Sequence, residues 1–229
     1  MSEANGNSLH SLVVLSMPPA EAVPWLIQRH YAKRRCPISY AFGVYRGALC
    51  IGVVTYGTPP SSTLCRGLCG DEWADKVLEL NRLCCENTKN VASMLVGRSL
   101  RMLPKPSIVV SYADTAQGHV GYVYQSTNFI YTGLSAKITD LRRTDDPMET
   151  GHDLRLSKER GGLSRQELLA NGANLVERSR KHRYVFACGS RKQRAAIVAA
   201  LRYPVEKYPK GESKHYDVSG TVATQMLLV

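Results

Sequence analysis

The segment SIVVSYAD, Ser107 to Asp114, sets the architecture, because it runs apolar with almost no alternation before it stops at a carboxylate. Such a strand belongs in the interior of a sheet, covered on both sides. Segments of helical and strand character flank it in a definite order. Ser8 to Leu15 reads as a first strand. Ser16 is placed to cap, and Pro18-Pro19 to start, a helix to about His30, with Ala22, Trp25, Leu26 and Arg29 at helical spacing. SYAFGVY and ALCIGVVTYG form a hairpin turning at Arg46-Gly47, and the Pro- and Gly-rich stretch Thr58 to Asp71 reads as a loop. VLELNRLCC is a strand, and Val91, Met94, Leu95 and Met102 give a helix that Pro104 and Pro106 end. After the central strand come a short helix from about Gly118 to Ser126 and the strand NFIYTG. Leu134 to Asn174 interrupts the pattern with Arg142-Arg143, Asp145-Asp146, Pro147 and Gly161-Gly162, and holds one helix at Arg165 to Ala170. RKHRYVFACG then gives a last strand and RKQRAAIVAALR a last helix.

Charge narrows the partner. Lys and Arg outnumber Asp and Glu by 30 to 19, a formal net charge of +11, which points to a polyanion. Nucleic acid fits and a membrane does not, since no apolar run approaches the roughly 18 residues of a spanning helix. The opening MSEANGNSLH has neither a basic n-region nor an apolar core, so the expected location is the cytoplasm. The seven cysteines are odd in number and scattered, which suits reduced thiols. Cys65-x3-Cys69 with Cys84-Cys85 lacks the spacing of a zinc ribbon or finger.

The order of elements resembles the GNAT acyltransferase fold, and YQSTNFIYTG is similar to the closing motif of many such enzymes. That resemblance implies an α/β fold with a mixed central sheet, helices on both faces and an insertion before the last strand. It is read as one domain over 1–229, with core about 8–133 and 176–203, an exposed insertion about 134–175 and a basic tail about 204–229. His30-Tyr31, FGVYRG, GVVTYG, ELNRL, KNVAS and SYAD…GHVGYVYQSTNFIYTG together resemble the Mom family of phage DNA-modification proteins, over roughly Trp25 to Gly133 plus KHRYV. The resemblance implies conversion of adenine in duplex DNA to N6-carbamoylmethyladenine, as protection of phage DNA against host restriction. The rival readings are a non-catalytic basic nucleic-acid-binding protein and an ordinary GNAT N-acetyltransferase. In one respect the chain departs from GNAT enzymes: CCENTKNVAS stands where a glycine-rich pyrophosphate loop is usual. A helix N-terminus there still suits phosphate, but acetyl-CoA becomes a doubtful donor of the two-carbon group. Glycyl-tRNA, whose glycyl group has the right two carbons and a nitrogen, stays open.

Adenine's amine is a poor nucleophile, so its modification needs a proton acceptor, an activated donor and an extruded base. Asp114, at the carboxyl end of the central strand, suits the first role, and equally suits an N-cap for the segment that follows. His30 and Tyr31 end a helix, where a histidine often only complements the dipole; the family resemblance draws both into the site, and implies an iron centre of His30, Tyr31 and Asp114. Arg82 sits in an apolar strand and needs a partner, either Glu79 or Asp114, or a donor's carboxyl or phosphate. Tyr122 and Tyr124 either pack, or stack on and hydrogen-bond an extruded base. Lys33, Arg34 and Arg35, with Lys181, Arg183 and the run through Arg191, Lys192, Arg194, Arg202, Lys207, Lys210 and Lys214, are expected to meet DNA phosphates.

Overall fold

The computed structural model describes residues 9–142 and 161–211. In chain order the elements are β1 (Leu12–Ser16), α1 (Pro19–Gln28), β2 (Tyr40–Arg46), β3 (Leu49–Gly57), α2 (Ser62–Cys69), β4 (Val77–Cys85), α3 (Val91–Met102), β5 (Ser107–Asp114), α4 (Tyr122–Ser126), β6 (Ile130–Leu134), β7 (Thr139–Arg142), α5 (Arg165–Ala170), β8 (Asn174–Glu177), β9 (Lys181–Cys188) and α6 (Arg191–Ala200). Seven strands make one sheet in the order β1-β2-β3-β4-β5-β9-β6, with β4 and β5 parallel and the other pairs antiparallel.

The apolar run that opened the sequence explains itself here. On one face of β5, Val109 joins Val54, Tyr56, Leu95 and Leu100 under α3; on the other, Ile108 and Val110 join Leu68, Cys69 and Ile197 under α2 and α6. All three of these β5 side chains are fully buried, so neither face of the strand tolerates a polar residue. Inside the first layer the Tyr56 hydroxyl meets the Ser99 hydroxyl at 2.7 Å, which satisfies the one polar atom that Tyr56 carries into the core. Farther along the second face, α1 lays Ala22 and Trp25 on Ala41, Tyr45, Val53 and Cys84. Helices on both faces, an antiparallel final pair of strands, and an insertion between β6 and β9 make this the GNAT-like arrangement that the resemblance implied.

Several local expectations are corrected. Ser16 ends β1 instead of capping a helix, and α1 starts from Pro18 without a side-chain cap. The hairpin turns at Gly47-Ala48, one residue later than expected. The stretch 58–71 is not a loop throughout: Ser61 accepts a hydrogen bond from the Leu64 amide at 3.1 Å and starts α2, which buries Cys65, Leu68 and Cys69. The helix expected from Gly118 to Ser126 is a 3-10 turn at Thr115–Gln117 followed by the single short α4, because Gly118 and Gly121 both take positive φ and break it. Within the insertion, β7 pairs with β8 and α5 closes a small core of Leu141, Leu168 and Ala173; residues 143–160 lie outside the described part, as does Lys214. All seven cysteines are free.

Beyond α6 the chain straps the sheet's outer edge. The Glu206 amide donates to Tyr131 O at 3.0 Å, the Tyr208 hydroxyl to Phe129 O at 2.6 Å, and Gln125 to Pro209 O at 3.2 Å. Farther along it, the Gly211 carbonyl accepts from the Tyr122 hydroxyl.

Arg183, expected to face DNA phosphates, is instead turned into the protein. Its side chain turns into a bulge of β6, where Nε donates to Thr132 Oγ1 at 2.8 Å and Nη2 to Thr132 O at 3.0 Å, while its guanidinium lies 3.4 Å from the centre of the Tyr203 ring. The residue is 9% exposed, which leaves little for a phosphate. Arg183→Ala should lower the free energy of unfolding by about 2–3 kcal/mol, the worth of buried charge-assisted hydrogen bonds, whereas Lys181→Ala should change it by about 0.5 kcal/mol or less. Urea denaturation of the two variants checks both.

Candidate active-site cleft

A fork in the sheet builds the site. β4 and β5 pair only over Val77–Leu80 and Ile108–Ser111. Beyond that point β4 follows β3 as far as Cys85, while β5 follows β9 as far as the pair Asp114 and Lys181. One extra residue in β4, Asn81, displaces the strand. Its side chain is held from two sides, accepting from Thr55 Oγ1 at 2.6 Å and donating to Pro37 O at 2.7 Å. The gap is a cleft of about 720 Å³, reached by β4, the end of β5, the N-terminus of α3, the residues just after α1, and α4.

His30 is 5% exposed, and its Nδ1 accepts the Ala32 amide at 3.0 Å. Burial, with the cations of Arg82 and Arg34 and with His119 close by, lowers its pKa to about 3, so the imidazole is neutral at any working pH. Tyr31 stacks on it at 4.4 Å between ring centres and meets His119 edge-on at 6.0 Å. Burial, then the negative charge of Asp114, raises the Tyr31 phenol above its usual range. Asp114 fills the capping role as well as ending the strand: Oδ1 accepts the Ala116 amide at 3.0 Å and the Ser179 hydroxyl at 2.7 Å, and Oδ2 lies 3.6 Å from Lys181 Nζ. The turn it caps is Thr115–Gln117, not the later helix.

Arg82 projects from the displaced part of β4. Nη1 donates to Asn81 O at 2.6 Å, while Nε is buried without a hydrogen-bond partner. Among the described residues no carboxylate lies within ion-pair distance of it, so neither Glu79 nor Asp114 is the structural mate that the sequence allowed. An arginine left with a buried N–H beside a cleft is suited to an anionic or carbonyl group from outside. Tyr124 lines the cleft, yet its ring is packed 5.3 Å from both Phe129 and Tyr184. Its hydroxyl, pushed up to about 12 by burial against a hydrogen bond with Ser111, is the part left for chemistry. Tyr122 is more exposed and ties down Gly211.

Glu79 enters the sequence pattern only as a possible mate for Arg82, but the fold gives it a place of its own. It lines the cleft, and burial raises its carboxyl above the ordinary range while Arg82 and Lys181 oppose the rise. A charged residue in an otherwise apolar strand, three positions before another, was the available signal. His119 is the second such residue, brought to the rim by the turn after β5.

The basic residues divide. Lys33, Arg34 and Arg35 are exposed in the turn after α1, and the charges of Arg34 and Arg82 both reach His30 and Tyr31. Lys181 also lines the cleft. Arg178 is tied to Asp140 at 3.0 Å and Arg180 to Ser135 O at 2.7 Å. Arg191 and Arg194 lie beyond the opposite end of β9 from Lys181, roughly 25 Å along an eight-residue strand. An iron centre fits these donors poorly. The Asp114 carboxylate is committed to three protein donors, Arg82, Arg34 and Lys181 surround the spot with positive charge, and no group of three His, Cys, Asp or Glu among the described residues converges on a metal.

Among solved structures the chain is similar to a GNAT-family acetyltransferase from Bacillus cereus, with 12% identity, TM-score 0.41 and coverage of 79% of this chain and 99% of that one. It is similar also to the spermidine/spermine N-acetyltransferase of Vibrio cholerae, with 8% identity, TM-score 0.42 and coverage of 78% and 93%. In sequence it is 26% identical over 191 residues to the methylcarbamoylase Mom of Escherichia phage Mu, covering 80% of this chain and 77% of that protein. The model of the Mom protein family matches residues 11–210, which takes in the forked cleft and every element of the sheet, and the chain belongs to that family.

Proposed function

We propose that this chain is a transferase that places a carbamoylmethyl group on N6 of adenine in duplex DNA, and so shields phage DNA from host restriction. The observation that carries the reading is the convergence of Glu79, Arg82, Lys181, His30 and Tyr31 on one forked cleft, with Asp114 held against Lys181 beside it, in a family that includes a methylcarbamoylase. A volume of about 720 Å³ is in the range that holds a base with a small donor group.

The transfer forms a bond from N6 to the donor's methylene carbon and breaks both one N6–H bond and the bond from that carbon to the donor's leaving group, which departs with the electron pair, so the site has to take up a proton. Glu79 is proposed as the acceptor, since burial raises its proton affinity. Asp114, fixed by Ser179, Ala116 and Lys181, holds the amine in place as a rigid hydrogen-bond acceptor. Arg82 presents its unsatisfied Nε to the donor's carbonyl or anionic end, and the Tyr124 hydroxyl stands beside Ser111 as a further hydrogen-bond group. Neutral His30 with Tyr31 forms a wall against the extruded base. Lys33, Arg34, Arg35 and Lys181 flank the mouth for phosphates. The donor is an activated two-carbon unit, and incubation with labelled glycyl-tRNA and with labelled acetyl-CoA, separately, identifies it.

Mass spectrometry of nucleosides from cells expressing the chain should show a modified adenine; unmodified DNA rejects the reading. In vitro, kcat/KM should fall as pH drops through the raised Glu79 pKa, because only the ionised carboxylate accepts a proton. Glu79→Gln should abolish that acidic limb along with about 100-fold or more of the activity. A limb that survives in Glu79→Gln moves the base to another group. Asp114→Asn should retain duplex binding while modification falls at least about tenfold. Affinity for duplex DNA should decline steeply with salt, and replacing Lys33, Arg34 and Arg35 by Ala should flatten the log–log slope by about 0.9 for each phosphate deprived of its cation.

A further inference from the structure

We infer that the chain has a second nucleic-acid site, a groove for a single-stranded phosphodiester chain on the side of α3 away from the reaction cleft. Helix α4 is only five residues long, so α3, with 12, stands without a full-length neighbour over this part of the sheet. What is left open is a groove of about 1010 Å³, bounded by α3, the start of α6 and the end of β9. Its floor is apolar, with Leu100, Ile130 and Phe186.

Its rims are cationic. Arg98 and Arg101 come from α3, Lys105 from the turn after it, and Arg191 and Arg194 from α6, while no Asp or Glu lines the groove. Arg101, Lys105 and Arg191 are exposed. Arg98 is anchored by donating to Leu12 O at 2.7 Å. Arg101, Lys105, Arg191 and Arg194 enter no ion pair among the described residues. Like charges gathered around one concave surface repel each other unless a polyanion lies between them.

The occupant follows from the pairing of floor and rim. A duplex keeps its bases stacked inside and offers an apolar floor nothing, whereas a single strand lays its bases on apolar and aromatic side chains while its phosphates meet the cations alongside. A mononucleotide would leave cations on one rim without phosphates, since they stand on two separate helices. The groove is also continuous with the reaction cleft, for Asn90, Ser93 and Ser126 line both. A strand lying in it therefore points one end at the start of α3, where the cleft begins.

Fluorescence anisotropy with short labelled oligouridine and oligothymidine tests the inference, with unlabelled duplex of the same length as competitor. Because the readout is binding, its outcome is independent of whether adenine is modified. The full chain should bind the single strands, and duplex should displace them poorly. Arg101→Ala, Lys105→Ala, Arg191→Ala and Arg194→Ala together should weaken binding at least about tenfold, and should reduce the log–log salt slope by about 0.7 for each phosphate that no longer meets a cation. Tighter binding of oligouridine assigns the groove to RNA, and tighter binding of oligothymidine to a DNA strand; either result upholds a single-strand site. An unchanged unfolding transition in the fourfold variant shows that the loss is not one of folding. Wild-type affinity in that variant, or equal displacement by duplex, overturns the inference.

Discussion

The Ser111 hydroxyl donates to Leu80 O at 3.0 Å, at the last rung that β4 and β5 share. Ser111 is completely buried, so this bond does for the parallel ladder what a further backbone pair would otherwise do, and it does so where no further pair exists. One residue later Asn81 bulges out between Thr55 and Pro37, and the strands cannot close again. The cleft is thus a property of the backbone. A sheet that zipped to its end would set Arg82 against β5 and close the space that Glu79 lines.

Glu79, Glu86 and Asp114 stand in or beside this space with Arg82, Lys89 and Lys181, and Glu79 and Asp114 have been given different surroundings. Asp114 is saturated with protein donors, which fixes its direction. Glu79 is set by burial against the attraction of Arg82 and Lys181, a balance that leaves its proton affinity adjustable by whatever enters the cleft. The buried Nε of Arg82 costs about 1–3 kcal/mol while it has no partner. Such a cost is tolerable in a site that regains it on binding, and is hard to explain in a purely structural arginine.

The central strand was legible because burial on both faces leaves a mark that no other position in a fold produces. Helix α3 was legible from its spacing and from the prolines that end it. Helix α2 was not, since Pro59-Pro60 precede it and Gly67 and Gly70 lie in and just after it, and local turn chemistry outweighed the small apolar face of Cys65, Leu68 and Cys69. The site was partly legible: His30, Tyr31, Arg82 and Asp114 do meet. Arg183 was misread because its berth is made by a bulge in β6, some fifty residues earlier in the chain; a run of charges gives no hint that one member turns inward. Glu79 was passed over for a related reason: it stands in the ladder between β3 and β5, and only the opening of the fork just beyond it makes a cavity for its side chain to line.

The strap along β6 bears on how the molecule behaves in a crowded cell. An outer strand with unpaired amides and carbonyls is a template for another chain, and β6 would be one. Glu206, Tyr208 and Pro209 occupy its backbone partners at Tyr131 and Phe129 and those of the neighbouring α4. The segment after α6 therefore acts as a built-in competitor against intermolecular strand pairing. It also couples that protection to the rim of the cleft, because the strap is tied to Tyr122 through Gly211, so a sequence change that loosens the edge would loosen the entrance to the site as well.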